Sequence, residues 1–165
     1  MIEPAYHQNT QGRPFRLVVG DLVQLAEQRE FDVIGHGCNC MHNMGAGIAK
    51  TLAQRFPQVV EADLSTPHGA KDKLGTYSCA TVAELNLRVL NIYSQFSHKG
   101  PIPRADYAAI EQAARSISRE FGGKRLGLPL IGAGLAGGDW LIIKEILGRE
   151  LESVDLTVVI FNPTK

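Results

Sequence analysis

The side chains best suited to chemistry lie in the segment His36-Gly37-Cys38-Asn39-Cys40, at the end of a predicted strand. The imidazole of His36 could serve as a general acid, a general base or a nucleophile, because it exchanges its proton near neutral pH. The alternative is a structural histidine that hydrogen-bonds the neighbouring loop. The amide of Asn39 offers a donor and an acceptor, which suit the hydroxyl groups of a ribose. His36 and Asn39 are therefore the candidate catalytic residues.

The same segment raises the possibility of a zinc site, because four candidate ligands alternate along the chain: His36, Cys38, Cys40 and His42. On a continued strand they would share one face. Zinc sites, however, usually separate paired ligands by about two to four residues, and we expect a loop here. The pattern therefore favours small, buried cysteines over a metal site. The chain has three cysteines, an odd number and too few for a disulfide framework, which is typical of a reducing compartment.

A first glycine-rich loop, Met44-Gly45-Ala46-Gly47-Ile48-Ala49, opens a predicted helix. Glycines let the backbone approach a ligand closely, and the unpaired N–H groups at a helix start attract an anion. The alternative is a turn that needs glycine for its shape alone.

A second glycine-rich loop, residues 131–138, reads Ile-Gly-Ala-Gly-Leu-Ala-Gly-Gly and matches the dinucleotide fingerprint G-x-G-x-x-G. That fingerprint requires an acidic residue about 20 positions on, at the end of the next strand. Here Asp155 precedes the next strand, which ends in Phe161-Asn162, so an NAD-dependent dehydrogenase is not expected. Neither loop has the Gly-Lys-Ser/Thr ending of a P-loop. The two loops could instead form backbone anion sites that close on one diphosphate from opposite sides.

Three further residues have both a functional and a structural interpretation. Asp21 could accept a hydrogen bond from an exocyclic amine, or it could cap the following helix. Phe161 could stack on a base or belong to the core. Asp139 precedes a predicted helix, where an N-cap is the expected role.

The elements that must position these residues alternate between strand and helix. The sequence predicts strands over residues 15–19, 31–36, 76–82, 87–93, 126–131 and 156–161. It predicts helices over residues 23–29, from residue 45 to an interruption at Pro57, and over residues 106–121 and 140–151. This order predicts one α/β domain, residues 15–165, with helices on both faces of a largely parallel sheet. Ligands bind such sheets beyond the carboxyl ends of the strands. Residues 1–14 are polar and aperiodic, and are expected to form an N-terminal arm.

The composition is that of an ordinary globular protein, with 44% hydrophobic and 21% charged residues among 165. Seventeen basic and 17 acidic residues give zero formal charge, so direct nucleic-acid binding through phosphate contacts is not expected. No apolar run approaches the roughly 18 residues of a membrane span, and no signal segment opens the chain. A cytoplasmic protein with no membrane contact is expected.

In combination, these motifs resemble a macro domain over residues 15–161. The resemblance implies a three-layer α/β/α sandwich with a central mixed, largely parallel sheet, and a pocket for ADP-ribose. Asp21 would bind the adenine amine with help from the Leu22 backbone, Phe161 would lie near the base, and Asn39 would meet the distal ribose. The two glycine loops would hold the diphosphate. The full set of implied ligand-binding residues is Gly20, Asp21, Leu22, Asn39, Met44, Gly45, Ala46, Gly47, Ile48, Ile131, Gly132, Ala133, Gly134, Leu135, Ala136 and Phe161.

Within the family, the segment from His36 to Cys40 is similar to that of yeast-type ADP-ribose 1″-phosphate phosphatases, in which the matching histidine is implicated in catalysis. The glycine loops also resemble those of the terminal ADP-ribose protein glycohydrolase, but Gln95 and Ala136 stand where that enzyme has its lysine and aspartate. The expected activity is hydrolysis of ADP-ribose 1″-phosphate to ADP-ribose and phosphate, with no cofactor. The alternatives are a hydrolase of protein-linked or acetylated ADP-ribose, and a non-catalytic ADP-ribose reader.

Overall fold

A computed structural model describes residues 5–8 and 14–162. The strands are β1 (Ala5–Gln8), β2 (Pro14–Gly20), β3 (Val33–Cys38), β4 (Tyr77–Val82), β5 (Leu87–Tyr93), β6 (Arg125–Leu128) and β7 (Asp155–Phe161). The helices are α1 (Leu22–Glu27), α2 (Gly47–Arg55), α3 (Pro57–Leu64), α4 (Tyr107–Glu120) and α5 (Trp140–Glu150). Short 3-10 turns cover Lys71–Lys73 and Ala83–Leu85. In this part of the chain, no helix is both long and apolar enough to cross a bilayer.

The strands form one seven-stranded sheet in the order β1-β2-β7-β6-β3-β5-β4. The inner strands β2, β7, β6, β3 and β5 pair in parallel, whereas β1 and β4 are antiparallel to their neighbours. The register aligns the carboxyl ends of neighbours, with Gly20 opposite Phe161 and Cys38 opposite Tyr93. The sheet is therefore mixed and largely parallel, as expected.

Two separate apolar clusters cover the two faces of the sheet. On one face, Ile110 and Ile117 of α4 pack with Ile143 and Leu147 of α5. On the other, α1, α2 and α3 contribute a second cluster that contains Leu22, Leu52 and Val59. Helices on both faces of one sheet make an α/β/α sandwich, so the predicted fold class is confirmed.

The structure departs from the predicted elements at three places that matter for the site. Strand β3 begins and ends two residues later than predicted, so it runs on to Cys38. Strand β6 ends at Leu128, directly before Pro129, because proline has no amide hydrogen to continue a ladder. Pro57 begins α3, since a first-turn proline gives up no helical hydrogen bond.

The sheet also extends into the predicted N-terminal arm. Strand β1, four residues long, pairs with β2 at the edge of the sheet. The aperiodic sequence gave no sign of this strand. The rest of the arm before Pro14, residues 1–4 and 9–13, lies outside the described residues. The division of the chain at residue 14 stays a prediction.

Candidate functional site

A cavity of about 570 Å³ lies across the carboxyl ends of the parallel strands. Its wall combines both glycine loops with residues that end or follow β2, β3, β5, β6 and β7. The lining residues are Asp21, Leu22, Val23, Gly37, Ala46, Gly47, Ile48, Ala49, Thr51, Ser94, Gln95, Pro129, Leu130, Ile131, Gly132, Gly134, Leu135, Ala136, Val159, Ile160 and Phe161.

The first glycine loop supplies the start of α2, and that start is uncapped. Ala46 occupies the N-cap position, where its methyl side chain makes no capping hydrogen bond. Gly47 has a φ of 57°, a left-handed conformation that favours glycine. Within residues 14–162, the amides of Gly47, Ile48 and Ala49 donate to no other group of the protein. A helix start with free amides on a cavity wall attracts a negative charge.

The second glycine loop is fixed by its own backbone and by Arg104. The Gly138 amide donates to the Gly132 carbonyl at 2.8 Å. The Arg104 amide donates to the Ala136 carbonyl at 2.7 Å, and its guanidinium donates to the Leu135 carbonyl at 2.5 Å. These bonds use carbonyl groups of the loop. The amides of Gly134, Leu135 and Ala136 make no hydrogen bond to any described residue, so they remain available for a ligand.

The two loops approach each other over the cavity. A Cβ atom built on Gly47 would lie 3.8 Å from Cδ1 of Leu135, which is ordinary van der Waals contact. Unpaired amides therefore occur on both sides of one cavity. Successive N–H groups create local positive potential without a charged side chain. This arrangement is compatible with zero net charge on the chain.

At the β2 and β7 end, Asp21 and Phe161 both line the cavity. Asp21 caps α1, since its Oδ1 accepts hydrogen bonds from the amides of Val23 at 2.9 Å and Gln24 at 3.1 Å. Asp21 therefore has the predicted capping role. Because Asp21 also lies on the cavity wall, contact with a ligand stays a prediction. Phe161 is 66% exposed, which excludes a core role and leaves an aromatic face beside the cavity.

His36 does not line the cavity. Its side chain is fully buried, and Nε2 donates to Oδ1 of Asn91 at 2.6 Å. Asn91 in turn donates to the Val59 carbonyl and to Ser78 Oγ, each at 3.0 Å. Burial lowers the pKa of His36, because the charged imidazolium would lose its hydration.

The shift of β3 by two residues explains this position of His36. The imidazole lies inside the strand, not at its end, and neighbouring residues of a strand point to opposite faces. Gly37 therefore takes the place on the cavity wall. The structure supports the alternative of a structural histidine.

Asn39 shapes its own loop. Its Oδ1 accepts hydrogen bonds from the amides of Met41 at 2.9 Å and Asn43 at 3.4 Å, and its Nδ2 donates to the Asn43 carbonyl at 2.9 Å. The side chain is buried and is not part of the cavity wall. Contact between Asn39 and a ribose stays a prediction.

Four other predicted ligand residues are also absent from the wall: Gly20, Met44, Gly45 and Ala133. Met44 and Ala133 pack against the two apolar clusters instead. The predicted residues on the wall are Asp21, Leu22, Ala46, Gly47, Ile48, Ile131, Gly132, Gly134, Leu135, Ala136 and Phe161.

Several wall residues were not among the predicted ligand residues. Ser94 and Gln95 follow β5, where the rule that sites lie after parallel strands predicts chemistry, although neither was in the predicted ligand set. Pro129 and Leu130 reach the wall because β6 ends early. The others are Val23, Gly37, Ala49, Thr51, Val159 and Ile160.

The cysteines of the site segment are buried and free. Burial raises the pKa of the Cys38 and Cys40 thiols, which disfavours the thiolate that a metal ligand or nucleophile needs. Among the residues that the structure describes, no three His, Cys, Asp or Glu side chains gather into a group that could hold a metal ion.

Comparisons with known proteins give one relative in sequence and many in fold. No protein-family model matches the chain. The chain is 37% identical over 160 residues to the uncharacterized 17.5 kDa protein of the tk-vs intergenic region of Enterobacteria phage T4, covering 90% of this chain and 97% of that protein. The macrodomain of Mycobacterium tuberculosis DarG superposes with a TM-score of 0.69 at 18% identity, covering 91% of this chain and 99% of that one. Thermosipho africanus DarTG, solved in complex with ADP-ribose, gives a TM-score of 0.70 at 21% identity, covering 96% of this chain and 44% of that one. The chain therefore belongs to the family of the phage T4 protein, and its fold is that of a macro domain.

Proposed function

We propose that this protein binds ADP-ribose. The observation that carries the proposal is the pair of glycine loops on the wall of one cavity, each with amides that donate to no described residue. A diphosphate carries negative charge on both phosphoryl groups and can accept hydrogen bonds from both sides. The complex of the similarly folded DarTG with ADP-ribose supports this choice of ligand.

The strand order suggests how ADP-ribose would be oriented along the cavity. The cavity runs from β2, with Asp21 and Phe161 near it, past β7, β6 and β3 to β5, which Ser94 and Gln95 follow. Four strand spacings of about 4.8 Å make roughly 19 Å, enough for an extended dinucleotide-sized ligand. The adenine would lie against Phe161, the diphosphate between the loops, and the distal ribose near β5. A volume of about 570 Å³ falls in the usual range for small-molecule sites, about 300 to 1,000 Å³.

The finer proposal is hydrolysis of ADP-ribose 1″-phosphate. It rests on the resemblance of the segment from His36 to Cys40 to the yeast-type phosphatases. Water attacks the terminal phosphorus and the bond between phosphorus and the ribose 1″ oxygen breaks, so that phosphate is released and the ribose oxygen gains a proton from the water. The loop amides would fix the diphosphate and so position the reacting bond.

The cavity wall offers few side chains that could take part in that reaction. Of the described residues on the cavity wall, Asp21 has the one titratable side chain, and it lies at the adenine end. His36 would then act by holding β3 and Asn91 in place, without transferring a proton to the substrate. The proposal predicts that His36→Gln, which keeps a buried hydrogen-bonding side chain, retains much of the turnover that His36→Ala loses.

Binding and turnover are tested on one purified sample. Calorimetric titration with ADP-ribose, ADP and adenosine should show saturable binding that weakens in that order. Release of phosphate, acetyl groups or protein from the corresponding ADP-ribose derivatives then identifies the activity. Phosphate release supports the finer proposal, while acetyl or protein release selects the alternative hydrolase. Binding without release from any derivative makes the protein a reader. Absence of ADP-ribose binding refutes the proposal itself.

A further inference from the structure

Ser94, the first residue after β5, has a buried hydroxyl group that the protein does not satisfy. The side chain is almost fully buried, yet Oγ has no hydrogen-bond partner among the described residues. The backbone is engaged on both sides, since the Ser94 amide donates to the Ile92 carbonyl at 2.8 Å and the Ser94 carbonyl accepts from the Asp106 amide at 2.8 Å. The residue is therefore held firmly with its hydroxyl unpaired. Burial of an unpaired hydroxyl is unfavourable unless a partner arrives from outside the chain.

The position of this hydroxyl group links it to the cavity. Of the buried side-chain nitrogen and oxygen atoms left unpaired in the described residues, Ser94 Oγ is the one that belongs to a wall residue. A Cβ atom built on Gly37 would lie only 2.7 Å from it, so the absence of a side chain at Gly37 leaves room for Oγ. Gly37 is itself on the wall, and both residues lie at the opposite end of the cavity from Phe161.

We propose that Ser94 Oγ hydrogen-bonds the distal ribose of ADP-ribose or the group on its 1″ carbon, and is a specificity-determining residue. The inference rests on the proposed function. A hydroxyl both donates and accepts, so it can pair with a sugar hydroxyl or with a phosphate oxygen. ADP ends at the second phosphate and lacks the distal ribose. Ser94 therefore distinguishes ADP-ribose from ADP.

The test compares Ser94→Ala with wild type in titrations with ADP-ribose and with ADP. Loss of one hydrogen bond should weaken ADP-ribose binding about three- to tenfold. ADP affinity should stay the same. Ser116→Ala makes the same chemical change on α4, away from the cavity wall, and should change neither affinity. Ser94→Cys keeps a weak donor of similar size and should give an intermediate loss for ADP-ribose alone.

The outcomes separate the inference from the proposed function. If wild type does not bind ADP-ribose, the proposed function fails. If wild type binds ADP-ribose but Ser94→Ala and Ser94→Cys bind it equally well, the role of Ser94 is wrong. An equal loss for ADP and ADP-ribose also overturns the inference, because it indicates a general disturbance of the cavity. Thermal unfolding of each variant checks that the fold is kept.

Discussion

A side chain placed on Gly134 should block the diphosphate site without harming the fold. Gly134 lines the cavity, and a Cβ atom built on it would meet no atom within 4 Å. It is not among the residues with positive φ, so valine adds volume without backbone strain at this position. We therefore expect the free energy of unfolding of Gly134→Val to change by no more than about 0.5 kcal/mol.

The expected loss of affinity follows from the amides that the new side chain would cover. The amides of Gly134, Leu135 and Ala136 donate to no described residue, so each could donate to a phosphate oxygen. A hydrogen bond to a charged group contributes about 1.5 to 3 kcal/mol. Loss of two such bonds at about 2 kcal/mol each, or about 4 kcal/mol in total, weakens binding roughly a thousandfold.

The assay is calorimetric titration with ADP-ribose beside thermal unfolding, and Gly122→Val is the matched control. Gly122 follows α4, is not on the cavity wall and has no positive φ, and its added Cβ would make ordinary contacts, the nearest at 3.4 Å from the Ser118 carbonyl oxygen. The control should bind ADP-ribose as wild type does. Near-normal binding by a stably folded Gly134→Val would refute the assignment of the second loop to the diphosphate.

Three other changes test separate parts of the account. Phe161→Ala should weaken ADP-ribose binding by about 1 to 3 kcal/mol, the usual contribution of stacking one base. In calorimetric titrations, binding of ribose 5-phosphate, which has no base, should stay the same. Equal losses for both ligands would contradict stacking. Asp21→Ala should lower the free energy of unfolding by about 1 kcal/mol in urea titrations, because the α1 cap is lost, while Asp21→Asn should keep most of it; equal stability of the two variants would exclude the cap. Burial lowers the pKa of His36 below its ordinary 6.5. The buried neutral imidazole therefore contributes its full stabilisation above pH 6.5. This stabilisation is lost as the pH falls below 6.5, because the unfolded chain binds a proton that the folded protein does not. Urea titrations should show wild-type stability falling faster than that of His36→Gln below pH 6.5, by up to about 1.4 kcal/mol per pH unit, and parallel curves would refute this protonation.

Much of the fold was predictable because periodicity reports burial. In the sequence, apolar residues recur at helical spacing within the predicted helix 106–121, which predicts one inner face. The five residues of that stripe are buried in α4: Ala109, Ile110, Ala113, Ala114 and Ile117. The aspartate before α5 was also informative, since Asp139 caps that helix as predicted. Local rules of this kind need no knowledge of the partner strands.

The site was predictable where it depends on the backbone and unpredictable where it depends on strand ends. Glycine spacing located both loops, because the backbone conformations that glycine allows are a local property of the chain. The end of β3 depends on its pairing with β5, in which His36 lies opposite Asn91. No local sequence pattern predicts this pairing, because the two strands are distant in the chain. A shift of two residues therefore moved His36 from a predicted strand end into the buried interior. The position of Ser94 after β5 was predictable, but its unpaired hydroxyl group becomes apparent only once the surrounding packing is known.

The central claim is that amides of both glycine loops hold the diphosphate of ADP-ribose. The most direct measurement is a titration of the ¹⁵N-labelled protein, followed by amide chemical shifts. With ADP-ribose and with ADP, the amides of Gly47, Ile48, Gly134 and Leu135 should all shift and saturate together, whereas adenosine should shift residues near Phe161 and leave both loops unchanged. If ADP-ribose binds while the amides of either loop keep their shifts, the account is contradicted.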